Sequence, residues 1–421
     1  MLLSSIKLIR LTFIFCLIAL LISVCGSKSL NKKGFPKILE IRSVTSGPKH
    51  HFASAYYHTC SWSASERYLL CLETDIADHN PTADETATIG MINLNNYNFI
   101  PLAKTYAWNF QQGAMQHWLG TYPDSNIIYN DCRNGRFVSV ILNVHTKEER
   151  ILGRPVSAVS NSGKTAVSLN FARLHITRPG YGYAGNGDDP KLDDTYPSDD
   201  GLFIIDLETG ESKLIVSLAD IYALSPPPPE IEGPLLWMNH TVYNHDDTRI
   251  FFMARTHKSG GIRLTAGFTV NLDGSDLRCV LPFSWGASHY DWLSPEKLMV
   301  TTRYQGKLFS HLLFTDGKED YRILGAGILT KDGHGVFSPD GRWMVTDTYP
   351  DELRMRTLML MDMENDAVLP IGRFYAPPEI DGPPRCDLHP RWNHTSDKIC
   401  FDSFHENTRQ VYMVKLDWGS N

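Results

Sequence analysis

A short turn motif that recurs along the chain constrains its fold more than any other feature. The clearest copy runs from Asp332 to Trp343 and reads Asp-Gly-His-Gly-Val-Phe-Ser-Pro-Asp-Gly-Arg-Trp. Related segments begin at Thr59, Ser157, His240 and His389. Pro presets one backbone angle of a tight turn and Gly supplies a positive φ, so each copy predicts two short strands joined by a hairpin. Copies spaced by roughly 40 to 50 residues are typical of a β-propeller.

We therefore predict an all-β chain, a seven-bladed β-propeller over residues 37–418. The first six blades are placed at residues 52–103, 108–150, from 156 onward, 237–282, 287–325 and 333–373. The innermost strand of the first blade is expected around His58 to Trp62. The last blade has only three strands before the chain ends, so the alternating segment Lys37 to Val44 is expected to supply its fourth strand and close the ring.

The first residues are typical of an export signal. Lys7 and Arg10 precede an apolar run that is short for a membrane-spanning helix, and small polar residues follow it. Cys25 stands where a bacterial lipoprotein would be acylated. The sequence is therefore compatible with export as a lipid-anchored protein and with export without an anchor. We predict a signal peptide at residues 1–25 and a linker at 26–36. The protein would then be periplasmic, an outer-membrane lipoprotein or extracellular.

Charge and cysteine usage narrow the classes of partner and compartment. A net charge of −7 and an isoelectric point near 6.1 argue against a nucleic-acid partner, which would require a basic face. Cys60 and Cys71 flank a predicted turn. They could form a disulfide in an oxidising compartment, or they could be two small buried apolar side chains.

Histidines stand at nearly the same place in four successive predicted blades, a few residues before the first turn. Neighbouring innermost strands surround a narrow axial channel, so these imidazoles could converge there. Convergent histidines predict a site for a divalent metal, zinc or manganese. The alternative is that each ring satisfies a backbone group nearby. The candidate ligands are His240, His289, His334 and His389, with His405 and Cys386 as additions.

An insertion in the third blade carries the second group of candidates. After a strand predicted at Thr165 to Asn170, it reads Phe-Ala-Arg-Leu-His-Ile-Thr-Arg-Pro-Gly-Tyr-Gly-Tyr. Arginine grips carboxylates bidentately, and tyrosine stacks on sugar rings or transfers a proton. The alternative is a surface loop whose arginines pair with nearby aspartates. The insertion supplies Arg173, His175, Arg178, Tyr181 and Tyr183.

Because strands alternate in direction, the ends of second strands share a face with the predicted histidines. These ends bring Arg133, Arg255 and His257 to that face, and Gln111 is expected to face the channel. A pair of carboxylates able to hydrolyse a glycosidic bond is suggested only by Asp131 and Asp347.

Three segments resemble the seven-bladed polysaccharide lyases of the oligogalacturonate lyase and ulvan lyase families. They are His-Gly-Val-Phe-Ser-Pro-Asp-Gly from His334, Cys-Asp-Leu-His-Pro-Arg-Trp from Cys386, and Arg-Pro-Gly-Tyr-Gly-Tyr from Arg178. The first segment is also similar to TolB-like propellers.

The resemblance implies metal-assisted β-elimination on an acidic, uronate-containing polysaccharide or oligosaccharide. In the catalytic set it implies, Tyr181, Tyr183 or His257 would transfer the proton. The histidines or their metal, helped by Arg173 or Arg255, would neutralise the sugar carboxylate. Arg178, His175, Gln111 and Arg133 would bind substrate. The alternative is a non-catalytic TolB-like propeller that binds a protein or glycan at the cell envelope.

Overall fold

A computed structural model describes residues 34–53, 56, 59–120, 123–185, 187–231, 233–258 and 261–419. The predicted signal peptide, with Cys25, and His58 lie outside the described residues. The described chain forms seven four-stranded antiparallel sheets, which confirms the seven-bladed β-propeller. No helix in this described part of the chain is both long and apolar enough to span a bilayer.

The strands follow each other from the channel outward in each blade. Blade 1 contains β2 (His50–Ala53), β3 (Tyr68–Thr74), β4 (Ala87–Asn93) and β5 (Asn98–Thr105), and blade 2 contains β6 (His117–Trp118), β7 (Asn126–Arg133), β8 (Arg136–Asn143) and β9 (Glu149–Leu152). Blade 3 contains β10 (Ala158–Val159), β11 (Thr165–Ser168), β12 (Gly201–Asp206) and β13 (Ser212–Ser217), and blade 4 contains β14 (Trp237–Tyr243), β15 (Arg249–Lys258), β16 (Ile262–Asn271) and β17 (Arg278–Leu281). Blade 5 contains β18 (Tyr290–Trp292), β19 (Lys297–Thr302), β20 (Ser310–Thr315) and β21 (Arg322–Leu324), and blade 6 contains β22 (Val336–Phe337), β23 (Trp343–Thr346), β24 (Met355–Asp362) and β25 (Val368–Tyr375). Blade 7 contains β26 (Arg391–Trp392), β27 (Lys398–Ser403), β28 (Gln410–Asp417) and, on its outer edge, β1 (Lys37–Ser43). The helices are α1 (Phe171–Thr177), α2 (Leu218–Leu224) and a 3-10 turn at Tyr304–Gly306.

The two ends of the chain close the ring as predicted. Strand β1 pairs antiparallel with β28, from Lys37 opposite Asp417 to Ser43 opposite Tyr412. Strand β1 therefore covers the outer edge of β28, whose backbone groups would otherwise be exposed to other chains.

The repeated turn forms by the predicted chemistry. In blade 6, Gly341 has a φ of +69°, and its backbone N–H donates to the Ser338 carbonyl at 2.8 Å. The Ser338 hydroxyl accepts from the Trp343 N–H at 3.0 Å. A residue with a Cβ would be strained at the glycine position, which explains the glycine in the motif.

The innermost strand of blade 1 differs from the prediction. It is β2, where Ala53 pairs with Cys71, whereas Trp62 contributes a single bridge to Leu69. Strand β3 therefore pairs with two segments in turn, with β2 up to Ala53 and with Trp62 at the start of the turn motif.

Two further local predictions are compared with the structure, the possible disulfide beside this motif and the end of a strand in blade 3. Cys60 and Cys71 are free thiols, the first exposed and the second buried, so the structure has no disulfide between them. Strand β11 ends at Ser168 rather than at residue 170, because the Asn170 side chain accepts from the Arg173 N–H and caps helix α1.

The core lies between adjacent blades. In β15, Phe251 and Met253 pack toward blades 5 to 7, whereas the alternate residues Phe252 and Ala254 pack toward blade 3. Both faces of this strand are buried, so it reads as a continuous apolar run. Burying one such Phe side chain stabilises the fold by about 1.5–3 kcal/mol, and this fixes neighbouring blades relative to one another.

Candidate active site

Three of the four predicted imidazoles meet at the mouth of the channel. The ring centres of His289 and His334 are 3.9 Å apart, and those of His334 and His389 are 4.4 Å apart. The His240 ring lies 4.7 Å from Tyr56, whose ring also lies 5.5 Å from His389. Tyr56, which sequence reasoning missed, therefore packs between His240 and His389.

Local backbone irregularities position two of these rings. His240 and His389 have φ values of +57° and +43°, a region that residues with side chains rarely adopt. In β14 the pairing register shifts between Asn239 and Val242, so His240 sits in a bulge. Bulges re-aim side chains next to functional sites, and strained backbone of this kind is often found there.

Carboxylates orient the other two rings. His289 Nδ1 lies 2.9 Å from Asp332, and His334 Nδ1 lies 2.8 Å from Asp347, so a carboxylate fixes the orientation of each ring. Burial lowers the pKa of His289 despite its carboxylate. Burial also disfavours the charged form of His334, but the carboxylate of Asp347 outweighs it and raises the pKa of this ring.

The described residues contain one group suited to a metal ion, which we call the metal group: His334, Asp387 and His389. All three are buried, and their ligand atoms lie within 4.8 Å of one another. Two imidazoles and a carboxylate form a donor set that zinc and manganese accept, so the residues present fit a divalent ion. Sequence reasoning missed Asp387, although its position two residues before His389 places both on one side of an extended chain.

Two arginines hold Asp387 in its charged form. Its oxygens lie 2.8 Å from Arg356 and 2.8 Å from Arg385. Burial would favour the neutral acid, but the two guanidinium groups outweigh it and depress the pKa of Asp387 far below the usual range. The carboxylate is therefore available to a cation at every physiological pH.

Tyr181 lies between two other cationic contacts. The Arg178 guanidinium is 3.9 Å from the centre of its ring, and Arg385 Nη2 donates to its hydroxyl at 3.1 Å. The hydroxyl itself donates to Gln111 Oε1 at 3.3 Å. Burial raises the pKa of Tyr181, but the charges of Arg178 and Arg385 outweigh it and lower the pKa to about 7. Phenol and phenolate are therefore both populated near neutral pH.

Tyr183 has a different environment from Tyr181. Its ring stacks on Phe171 with centres 4.5 Å apart, and its hydroxyl accepts from Asn130 Nδ2 at 2.8 Å. Burial raises the pKa of Tyr183. This tyrosine remains a neutral phenol packed against the blade.

Arg255 and Arg178 offer hydrogen-bond donors that the described residues do not satisfy. Arg255 is only 2% exposed, and among the described residues its one hydrogen bond is from Nη2 to the Met253 sulfur at 3.2 Å. Its Nε and Nη1, and the same two atoms of Arg178, are buried without a hydrogen-bond partner in the described part of the chain. Burial lowers the pKa of Arg255, and Arg178 and Arg263 lower it further. Buried donors of this kind favour an anionic ligand.

Arg173 is placed as a support for the insertion. Its Nε donates to the Leu236 carbonyl at 2.7 Å, and its Nη2 donates to the carbonyls of Asp194 and Thr195 at 3.1 and 3.0 Å. Helix α1 turns this side chain toward the backbone of its own insertion. The guanidinium thus ties residues 190–195 to blade 4.

Gln111, predicted to bind substrate, and His257, predicted to transfer a proton, have different surroundings. Gln111 contacts Tyr181 directly and also donates to the Arg385 carbonyl at 3.2 Å. His257 lies against Trp237, with ring centres 4.7 Å apart. Burial lowers the pKa of His257, and the charges of Arg263 and Arg178 lower it further.

His175 and Arg133 have contacts elsewhere. His175 borders a small cavity with Asn80 and Gly180. Arg133 pairs with Asp131 and Glu149, and Asp131 is further held by the Tyr106 N–H at 3.0 Å. Both carboxylates suggested for hydrolysis therefore have structural partners. Asp131 pairs with Arg133, and Asp347 contacts His334.

The two other ligand candidates lie outside the metal group. The His405 ring packs against Phe374 and Tyr412, with centres 5.2 and 4.6 Å apart. Cys386 is buried, and burial raises the pKa of its thiol to about 11.

Comparison with known proteins supports the fold by structure and not by sequence. Neither a protein-family profile nor the sequence of a curated protein matches the chain. An oligogalacturonate lyase from Vibrio parahaemolyticus superposes with a TM-score of 0.64 at 14% identity, over 89% of this chain and 93% of that one. An oligogalacturonate lyase in complex with manganese superposes with a TM-score of 0.63 at 17% identity, over the same shares. TolB from Acinetobacter baumannii matches with a TM-score of 0.39 at 12% identity, over 77% of this chain and 65% of that one. The resemblance read from the three segments thus holds at the level of the fold: this chain is a seven-bladed β-propeller similar to the oligogalacturonate lyases.

Proposed function

We propose that this protein is a polysaccharide lyase that cleaves an acidic, uronate-containing glycan by β-elimination. The observation that carries the proposal is Tyr181, a buried tyrosine with a pKa of about 7 between Arg178 and Arg385. A general base works best when its pKa lies near the working pH. The similarity in fold to oligogalacturonate lyases supports the same reaction class.

The proposed reaction uses the residues around Tyr181. Arg255 and Arg178 bind the uronate carboxylate with their unsatisfied donors, which makes the neighbouring C5 proton more acidic. The Tyr181 phenolate takes that proton, and the electron pair forms the C4–C5 double bond. The C4–O bond breaks, and its oxygen leaves with a proton returned from Tyr181 or from water.

Arg385 connects the proton-transfer residue with the metal group. It donates to the Tyr181 hydroxyl and pairs with Asp387. A divalent ion held by His334, Asp387 and His389 would supply Lewis-acid polarisation of the sugar carboxylate. With or without this ion, Arg385 would orient the Tyr181 oxygen relative to the substrate.

The experiment is an elimination assay with matched tyrosine variants. Purified protein is incubated with pectate, ulvan and other polyuronates, and the ultraviolet absorbance of unsaturated products is followed. We expect Tyr181→Phe to reduce kcat at least ~100-fold, as loss of a general base does. Tyr183→Phe is the matched control, because it removes a hydroxyl of the same insertion that, among the described residues, bonds to Asn130 of blade 2. Absence of unsaturated product from every acidic glycan, with and without added manganese or zinc, would refute the proposal.

Export with or without acylation at Cys25 is part of the same proposal, because a polymeric substrate lies outside the cytoplasm. Cell fractionation of wild type and Cys25→Ser, with radiolabelled palmitate, tests it. Label on the wild type alone would support the anchor, and protein retained in the cytoplasm would contradict export.

A further inference from the structure

A second pair of chemically reactive side chains lies at the opposite end of the channel. Cys60 belongs to blade 1, and His394 follows β26 in the first turn of blade 7, whereas the metal group precedes that strand. The Cys60 thiol is exposed, and its Sγ lies 3.8 Å from His394 Nε2. The pair thus spans the seam between the first and last blades.

The loop that carries His394 is held on both sides. Asn393 Nδ2 donates to the Glu66 carboxylate at 3.0 and 2.9 Å, and the Thr395 N–H donates to it at 3.2 Å. His394 Nε2 also lies 3.3 Å from the Trp62 carbonyl oxygen. The imidazole therefore keeps its place beside the thiol without help from a ligand.

The contact stabilises the protonated form of the His394 imidazole. Its hydrogen bond to Cys60 raises the pKa of His394 to about 9 against the opposing effect of burial. Glu66, paired with Lys398 at 3.1 Å, faces the same imidazole from blade 1. An imidazole 3.8 Å from a thiol can take up its proton, and the thiolate that remains is the nucleophilic form of cysteine.

A cavity gives small molecules access to the pair. It has a volume of about 430 Å³ and is lined by Cys60, His394, Tyr243, His245 and Arg391 among others. This volume is within the range of small-molecule sites. A low-molecular-weight disulfide of the size of a cysteine or glutathione dimer can reach the sulfur from it.

We propose that Cys60 and His394 form a thiol–disulfide exchange site that accepts small-molecule disulfides and is separate from the elimination site. The Cys60 thiolate attacks one sulfur of the disulfide, a new S–S bond forms, and the old S–S bond breaks. The leaving thiolate takes the bond's electron pair and receives a proton from the His394 imidazolium. No net oxidation occurs, because one disulfide is exchanged for another.

Competition among the protein's own thiols tests the proposal in the folded protein. The whole protein is treated with oxidised glutathione or iodoacetamide at pH 7, and modification of Cys60, Cys132 and Cys279 is timed by peptide mass spectrometry. We expect Cys60 to react at least ~10-fold faster than the other two partly exposed thiols. A Cys60 rate equal to theirs would overturn the proposal.

A pair of histidine variants separates the imidazole's effect from general exposure. His394→Asn is expected to slow Cys60 modification ~10-fold, while His245→Asn, which lies in the same cavity without contacting Cys60, leaves the rate unchanged. Thermal unfolding checks that both variants fold, and the wild-type competition stands if one does not. An unchanged rate in a folded His394→Asn variant would contradict the role of the imidazolium.

Discussion

Replacing Arg178 with methionine removes a guanidinium that lies 3.9 Å from the centre of the Tyr181 ring and keeps a side chain of similar reach. Arg385 retains its 3.1 Å hydrogen bond to the Tyr181 hydroxyl. The phenol therefore loses one of its two neighbouring cations and stays buried. This change tests directly whether the arginines set the ionisation of Tyr181.

The expected shift follows from the two contacts. The pKa of Tyr181 is lowered from the ordinary 10.0 to about 7, which corresponds to ~4 kcal/mol favouring the phenolate. With the two guanidinium groups sharing this effect equally, removal of one raises the pKa by at least ~1.5 units. At pH 7 the phenolate fraction then falls from about one half to about 3%, a loss of ~15-fold.

The assay is an ultraviolet titration of tyrosinate without substrate, compared with Tyr181→Phe to identify the signal. Arg178→Lys is the matched control, because it keeps a positive charge at this position. In the wild type we expect one tyrosine to ionise with a midpoint near pH 7, and kcat/KM to rise with pH through the same midpoint. Activity falls below pH 7 because the base is then protonated.

Two outcomes would refute this account of the site. One is a titration near pH 7 that persists in Tyr181→Phe, which would assign the signal to another group. The other is a midpoint that stays in place in Arg178→Met, which would remove the arginine as the cause.

Three further predictions concern the metal group, the insertion and the closure. Asp387→Asn should lower bound manganese or zinc in elemental analysis and destabilise the fold by ~3–5 kcal/mol in denaturant titration, because Arg356 and Arg385 lose their buried carboxylate; unchanged metal content would contradict the assignment. Arg173→Met should lower the free energy of unfolding by about 3 kcal/mol and expose the insertion to proteolysis, since several carbonyls lose a charged donor. Protease resistance equal to that of the wild type would argue against the supporting role of Arg173. Deleting residues 37–43 should lower the thermal midpoint and promote aggregation through the bared edge of the last blade, and a monomeric variant of wild-type stability would contradict this.

The repeated turn was the sequence feature that contributed most to the prediction of the fold. Its Pro, Asp and Gly residues specify a hairpin locally, and the spacing between copies reports the size of one blade. The closing role of Lys37 to Val44 followed because a chain of this pattern left one blade a strand short. The position of the innermost strand of blade 1 could not be predicted from the turn motif, because it depends on how two segments share the pairing with β3.

The candidate site was predicted in part. The start of each innermost strand surrounds the axis, so the register of His289, His334 and His389 was enough to place them together. The role of Arg385 could not be predicted, because it lies in a loop, and the path of a loop is not indicated by any periodic pattern in the sequence. The sequence placed Arg173 among the catalytic residues and Arg178 among the substrate-binding residues, but helix α1 turns Arg173 to the backbone, while Arg178 follows the helix and faces Tyr181.

The pairing of β1 with β28 also orders events during synthesis. The first strand of the toroid emerges early from the ribosome, yet the backbone groups it must bond, in β28, are translated only after the other six blades. His389 and Asp387 emerge just before that strand, so a nascent chain lacks two of the three residues of its metal group until the seventh blade is made. Closure of the ring and assembly of the metal group are therefore coincident steps, and a chain truncated before Asp387 completes neither.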